Sequence, residues 1–192
     1  NNYSFTDEKN SNGCIYIVRD PRNTITSIMN HYEHDYKEAI DWMLNKNGFL
    51  IKKNEEQFYR FQFLSSWQNH YKSWVNNKKF PVLIVKYENL QINPLEELEK
   101  VINFLIKVSK LKTVFNKEKA IKVIESCSFE NLKKKEKEEG FREQATGQKS
   151  GKKIPFFNLG KENNWRKIIP ENMKIKLNEV FDEDIKYWGY DA

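Results

Sequence analysis

Arg19, Ser27 and Tyr87 are the residues whose types and spacing best suit ligand chemistry. Arg19 follows the apolar run Cys14-Ile15-Tyr16-Ile17-Val18, and Tyr87 follows Pro81-Val82-Leu83-Ile84-Val85-Lys86. In an open α/β sheet, ligands collect in the crevice beyond the carboxyl ends of the strands, so both side chains stand where a ligand would lie. A guanidinium suits an anion there, because its planar fork donates two parallel hydrogen bonds and stays charged at any ordinary pH. An ion pair with Asp20 or a nearby glutamate is the other role open to Arg19, and the sequence does not choose between them. Ser27 lies seven residues after Asp20 (27 − 20 = 7), two helical turns on, so its hydroxyl returns to the face of the cap. That face is outside the apolar stripe and toward the region Arg19 can reach, which permits a shared anion without demanding one. Tyr87 by itself reads equally well as a packing residue at a strand end.

The elements that must position these groups are legible from pattern. Both apolar runs have strand length and no polar alternation, as in strands buried on both faces. Asp20 and Pro21 open a helix as cap and first residue, with Ile25, Ile28, Met29 and Tyr32 as its apolar stripe. Phe58, Phe61, Leu64, Trp67, Tyr71 and Trp74 recur every three or four residues and predict a long helix from Glu55 to Asn77, its aromatics serving the core. Asn93-Pro94-Leu95-Glu96 starts a helix carrying Leu95, Leu98, Val101, Ile102 and Leu105. Further helices are expected over Lys117–Glu125, from Phe129 into the charged run ending at Glu139, and from Pro170 with Met173, Leu177, Val180 and Phe181 on one side. The polar, glycine-punctuated stretch Gly140 to Lys153 reads as a mobile surface loop. Strand and helix alternate without a linker or repeat, so residues 1–192 read as one α/β domain with a parallel sheet.

Composition narrows the function classes. A chain of 192 residues with 39% apolar and 14% aromatic residues can bury a real core. No run of about eighteen apolar residues exists, so no membrane span is expected. Cys14 and Cys127 have no metal-ligand spacing, which favours a reduced, cytoplasmic setting without a metal centre. A net charge of +6 is compatible with nucleic acid, but lysine is spread along the whole chain and the run Lys133–Lys137 is followed at once by Glu138 and Glu139. A small anionic ligand accounts for the excess equally well, and nucleic acid is not expected as a partner.

Ile15 to Tyr32 resembles the segment of sulfotransferases in which an arginine after a strand and a serine eight positions on bind the 3′-phosphate of the nucleotide. The interval from Arg19 to Ser27 is also 27 − 19 = 8. Val82 to Leu90, with Tyr87-Glu88-Asn89-Leu90, is similar to the family's next strand and its Tyr-Glu-Asp-Leu, with Asn89 in place of Asp. Cys127-Ser128-Phe129-Glu130-Asn131-Leu132 resembles Thr-Ser-Phe-Glu-x-Met, with Cys127 replacing threonine and Phe129 implied as the residue that packs on the purine. Phe157 to Trp165 aligns without a gap to Phe-Arg-Lys-Gly-x-x-Gly-Asp-Trp, and Phe181-Asp182-Glu183 and Gly189-Tyr190 follow as in the family.

The resemblance implies a P-loop-like parallel sheet flanked by helices, and a sulfuryl transfer from 3′-phosphoadenosine 5′-phosphosulfate to a hydroxyl or amine of a small-molecule or glycan acceptor. It places Arg19, Ser27, Tyr87, Cys127, Ser128, Phe129, Asn158, Leu159 and Gly160 around the nucleotide. Asn158 and Leu159 stand where the family has Arg and Lys on the 3′-phosphate, so two cations are missing; Lys161, Arg166 or Lys149, Lys152 and Lys153 are the substitutes expected. The family's phosphosulfate loop with its lysine, and its catalytic histidine, lie upstream of the arginine. Neither is found in the eighteen residues before Arg19, so the chain is expected to be a fragment without its strand-loop-helix cradle and without catalytic residues. His31, His34 and His70 have packing or surface roles in this reading. The family's dimer-forming stretch is not reproduced after Trp165, which leaves the oligomeric state open. The competing readings are a non-catalytic nucleotide-binding module, a basic nucleic-acid-binding module, and a partner-docking role for the loop Gly140 to Lys153.

Overall fold

The structure, a computed structural model, describes residues 9–53, 59–147 and 149–191. Along the chain run β1 (Cys14–Val18), α1 (Pro21–Tyr32), α2 (Tyr36–Leu44), β2 (Phe49–Lys53), β3 (Tyr59–Phe63), α3 (Trp67–Val75), β4 (Val82–Lys86) and α4 (Tyr87–Ile92). Then come α5 (Pro94–Ser109), α6 (Lys117–Ser126), α7 (Phe129–Glu139), β5 (Ala145–Thr146), β6 (Lys153–Ile154), a 3-10 turn (Gly160–Glu162), α8 (Trp165–Ile168), α9 (Glu171–Val180) and α10 (Asp182–Trp188). This is the α/β class expected, with β1 and β4 paired in parallel and helices about them. The chain divides into two compact units, residues 1–19 with 72–131, and residues 20–71 with 132–192.

The first unit is built on the parallel pair, in which Cys14 faces Val82 and Val18 faces Lys86. Val18 and Val85 are buried in it. Ile17 is 55% exposed, which corrects the expectation of strands covered on both faces at that position of β1. Tyr16 stacks on Trp74 with ring centroids 6.2 Å apart. Gly13 precedes β1 where a Cβ would come within 2.9 Å of the Phe104 ring of α5, so a larger residue there would have to displace that ring.

The second unit has its own core of Ile25 and Ile28 from α1, Ala39, Ile40 and Met43 from α2, and Trp165, Ile169, Leu177, Phe181 and Ile185 from the C-terminal helices. The stripe predicted for α1 holds: Met29 and Tyr32 pack against this cluster beside the two isoleucines. Helix α2 is additional to the expected elements, and its signal is a capping box in which the Asp35 side chain bonds the Glu38 amide and the Glu38 side chain bonds the Asp35 amide.

The long helix expected from Glu55 to Asn77 is overturned. Residues 55–58 lie outside the described residues, Tyr59–Phe63 is a strand, and only Trp67–Val75 is helical. Tyr59-Arg60-Phe61-Gln62-Phe63 alternates aromatic and polar residues with a period of two, and it pairs antiparallel with β2, Phe49 opposite Phe63 and Ile51 opposite Phe61. Phe61 belongs to both patterns, spaced by three from Phe58 and Leu64 and by two from Tyr59 and Phe63. The last helix is likewise two, since Phe181 leaves helical geometry between α9 and α10 with φ −109° and ψ 18°. In the stretch read as a surface loop, β5 pairs with β6, Ala145 opposite Ile154 and Thr146 opposite Lys153.

Candidate functional site

Because β1 and β4 are parallel and end in register at Val18 and Lys86, Arg19 and Tyr87 leave the same carboxyl edge side by side. The Arg19 guanidinium carbon sits 4.4 Å from the centroid of the Tyr87 ring. That contact is worth roughly 0.5–2 kcal/mol and holds the guanidinium against a rigid aromatic plane. Tyr87 opens α4, and its hydroxyl accepts a hydrogen bond from Gln91 Nε2 at 2.9 Å. The ring is therefore fixed from within its own helix.

In the same unit, Cys127, Ser128 and Phe129 form the junction between α6 and α7. Cys127 caps α6, with its amide donating to the carbonyls of Val123 and Glu125, and its thiol is exposed. Phe129 is the first residue of α7 and half-buried. Cys14, the other free cysteine, is only partly accessible, and burial pushes its thiol pKa up.

The second unit carries Ser27, Asn158, Leu159 and Gly160. Asn23, Ser27 and Asn30 recur at i, i+4 and i+7 on α1, making a polar stripe beside the apolar one. Asn163 lies along this stripe: its Nδ2 donates to Ser27 Oγ at 3.0 Å and to Asn23 O at 3.3 Å, and its Oδ1 accepts from the Thr26 hydroxyl. Asn158 Nδ2 donates to Asn30 Oδ1 at 2.8 Å, and Asn23 Oδ1 accepts from the Trp165 amide at 2.9 Å. These five hydrogen bonds, each with an asparagine on at least one side, zip the segment 158–165 onto α1. Ser27 Oγ also donates to Asn23 O at 3.3 Å, a long bond that an anion could outcompete. Leu159 is 38% exposed, and Gly160 has φ +55°, the left-handed conformation glycine adopts without strain.

The Asp20 carboxylate has a partner that sequence reasoning did not name. Arg22, fully buried, embraces the Asp20 carboxylate with Nε at 3.0 Å and Nη2 at 2.8 Å, and reaches Asn178 Oδ1 at 2.9 Å and the Asp191 carbonyl at 2.5 Å. Its guanidinium also lies over the Trp165 ring, 4.1 Å from the centroid.

Sequence reasoning missed Asn163, Lys133 and Glu136. Asn163 had a visible signal, since it puts a side chain where the family pattern has glycine. Lys133 Nζ donates to Asn158 O at 3.1 Å, and Glu136, 7% exposed, accepts from the amides of Phe156 at 2.6 Å and Phe157 at 2.9 Å. No pattern in the charged run separates these two from their neighbours. Among the described residues, no group of three or more His, Cys, Asp or Glu is placed to hold a metal ion.

The family described as "Sulfotransferase domain" matches residues 5–189 of this sequence. The chain belongs to the sulfotransferase family. It is 25% identical to cytosolic sulfotransferase 17 of Arabidopsis thaliana over 193 aligned positions, covering 93% of this chain and 51% of that protein. It is 31% identical to sulfotransferase 1B1 of Canis lupus familiaris over 129 positions, covering 64% of this chain and 38% of that protein. Among solved structures it is similar to the mouse sulfotransferase SULT7A1 complexed with PAP, with a TM-score of 0.62 at 21% identity over 90% of this chain and 58% of that one. It is also similar to retinol dehydratase in complex with androsterone and inactive cofactor PAP, with a TM-score of 0.59 at 18% identity over 90% of this chain and 47% of that one. These likenesses establish the P-loop-like α/β fold. The sulfotransferase chain described here spans about half the length of the curated relatives it matches.

Proposed function

We propose that this sulfotransferase chain binds the adenosine 3′-phosphate portion of 3′-phosphoadenosine 5′-phosphosulfate, in a protein that transfers the sulfuryl group to a hydroxyl or amine of a small-molecule or glycan acceptor. The observation that carries the reading is Arg19 held 4.4 Å over Tyr87 at the carboxyl edge of the parallel strands. A guanidinium fixed by an aromatic ring at that edge is arranged to receive a phosphate with two parallel bonds. The family resemblance adds Ser27 as a hydroxyl donor, the backbone N–H groups about Gly160, and Phe129 as an aromatic face for the purine. Tyr87, Cys127 and Ser128 complete the set, with Asn158 and Leu159 at the two altered positions. No residue of this chain is assigned as catalytic base or as the group that neutralises the leaving phosphate, and no metal enters the scheme. A cytosolic setting accords with the two Arabidopsis relatives, both named as cytosolic enzymes.

The reading is tested by titrating the chain with 3′,5′-phosphoadenosine, the product nucleotide, and following heat or tryptophan fluorescence. Saturable binding is expected, and Arg19→Ala is expected to remove most of it while far-UV circular dichroism stays unchanged. Equal affinity of the variant and the parent chain would refute the site.

A further inference from the structure

Asn158 and Leu159 bring no positive charge to the loop where the family pattern has two cations, and the Asn158 amide is committed to Asn30. Two of the substitutes suggested by sequence are held elsewhere. Lys149 Nζ ends on Glu38 Oε2 at 2.7 Å, and Arg166 lies over the Trp165 ring while donating to Asp191 O at 3.1 Å. A different cation reaches the loop: Lys133, in the second turn of α7, places its ammonium 3.1 Å from the carbonyl of Asn158 itself.

The approach is framed by Glu136, three residues further along the same helix. Its buried carboxylate bonds the amides of Phe156 and Phe157 and the side chain of Gln144, the last at 3.2 Å, so the strand of chain entering the loop is tied to α7. Beyond that tie the loop closes on itself through Asn158 N to Phe156 O at 3.1 Å, Glu162 N to Leu159 O at 3.0 Å and Asn163 N to Gly160 O at 3.2 Å. A lysine one turn from the anchoring carboxylate is thus kept at the position of the missing charges. An ammonium carries three donors on a flexible stem, so a contact to a carbonyl and one to an anion beside it are compatible.

We propose that Lys133 supplies, from helix α7, the cation that discriminates for the nucleotide 3′-phosphate in place of the residues at 158 and 159. This rests on the nucleotide reading above. A lysine acts as a point charge where arginine would act as a fork, so the discrimination is smaller than two basic residues in the loop would give.

The test compares the affinity of the chain for 3′,5′-phosphoadenosine and for adenosine 5′-monophosphate, in the parent, Lys133→Met, Lys133→Gln and Lys176→Met. Lys176 is exposed on α9 and controls for the loss of one charge. Lys133→Met and Lys133→Gln should each weaken the bisphosphate about tenfold and leave the monophosphate within about twofold, while Lys176→Met changes neither affinity. If the parent binds and both Lys133 variants keep its preference, or lose both nucleotides equally, the assignment of Lys133 fails and the nucleotide site stands. If the parent binds neither nucleotide, the site itself fails and Lys133 with it.

Discussion

Asp20 illustrates how a single residue can mislead a reading from sequence. It sits between two arginines; the sequence offered Arg19 as one candidate partner, and the carboxylate is embraced by Arg22. The reason lies far along the chain: Asn178 and Asp191, 156 and 169 residues away from Arg22, complete its hydrogen bonds, and no local pattern announces them. Removing one member of a buried, fully bonded pair leaves the other charge stranded, so Arg22→Ala should cost about 3–5 kcal/mol in urea denaturation, whereas Arg19→Ala should cost far less. Tyr71 offers a second residue-scale expectation. Its hydroxyl donates to the buried Asp184 at 2.7 Å, and burial, followed by that bond, pushes the phenol pKa well above its ordinary range. A raised folded pKa means that the contribution is full below the ordinary tyrosine value near about 10 and is lost as pH rises through the folded value. Stability should therefore decline in strongly alkaline solution. Tyr71→Phe should lower the stability at neutral pH by about 1–3 kcal/mol and flatten the alkaline decline, as read by chemical denaturation across pH.

At the scale of elements, the sequence was most legible where one period was unambiguous. The strands β1 and β4, helices α1 and α5, and the start of α7 at Phe129 stand where the apolar runs and caps put them. The aromatic stretch before Trp67 was not legible, because its residues fit a period of three or four and a period of two together. Pairing decides the matter: Phe61 meets Phe49 across the hairpin with ring centroids 5.4 Å apart, a contact from another segment that propensity alone does not contain. The stretch after α7, read from composition as a surface loop, contains the β5–β6 pair and is bonded by Glu33, the residue that caps the end of α1, and by Glu38 of α2. Glu33 accepts from the amides of Lys149 at 2.7 Å and Ser150 at 3.0 Å, and Glu38 receives the Lys149 ammonium. Both carboxyls are held below the usual glutamate range, Glu33 chiefly by Ser150 and Glu38 chiefly by Lys149. A lowered folded pKa makes the fastening complete above the ordinary value near about 4.3 and lost as pH falls through the folded one. Amide protection at Lys149 and Ser150, corrected for intrinsic exchange, should fall in that acidic window, and Glu33→Gln should reproduce the loss at neutral pH.

For the molecule as a whole, the order of four weak motifs carried more information than any one of them. The family assignment follows from that order, while the details that distinguish this chain, such as the Asn163 zip and the Lys133 approach, arise from contacts between segments distant in sequence. The net charge of +6 comes with lysines spread along the whole length of the chain. Neutralising many phosphates along a nucleic acid gives a steep fall of affinity with salt, whereas a nucleotide pocket engages only a few charges. The affinity for 3′,5′-phosphoadenosine should accordingly fall with a shallow slope in log salt, and an oligonucleotide should fail to displace it at physiological ionic strength. A slope as steep as that of a nucleic-acid binder, measured in the same titration, would return the basic surface to consideration.

The exposed Cys127 thiol at the α6–α7 junction makes the chain its own reporter. Alkylating reagents attack thiolates, and Cys14 is less accessible with its thiol pKa raised by burial, so one-hit labelling at mildly alkaline pH should fall first on the exposed Cys127. Two residues from the ring expected to meet the purine, that label would be slowed by an occupying nucleotide. The rate of a simple covalent reaction, followed by mass, thus becomes a measure of occupancy for a ligand that leaves no colour of its own.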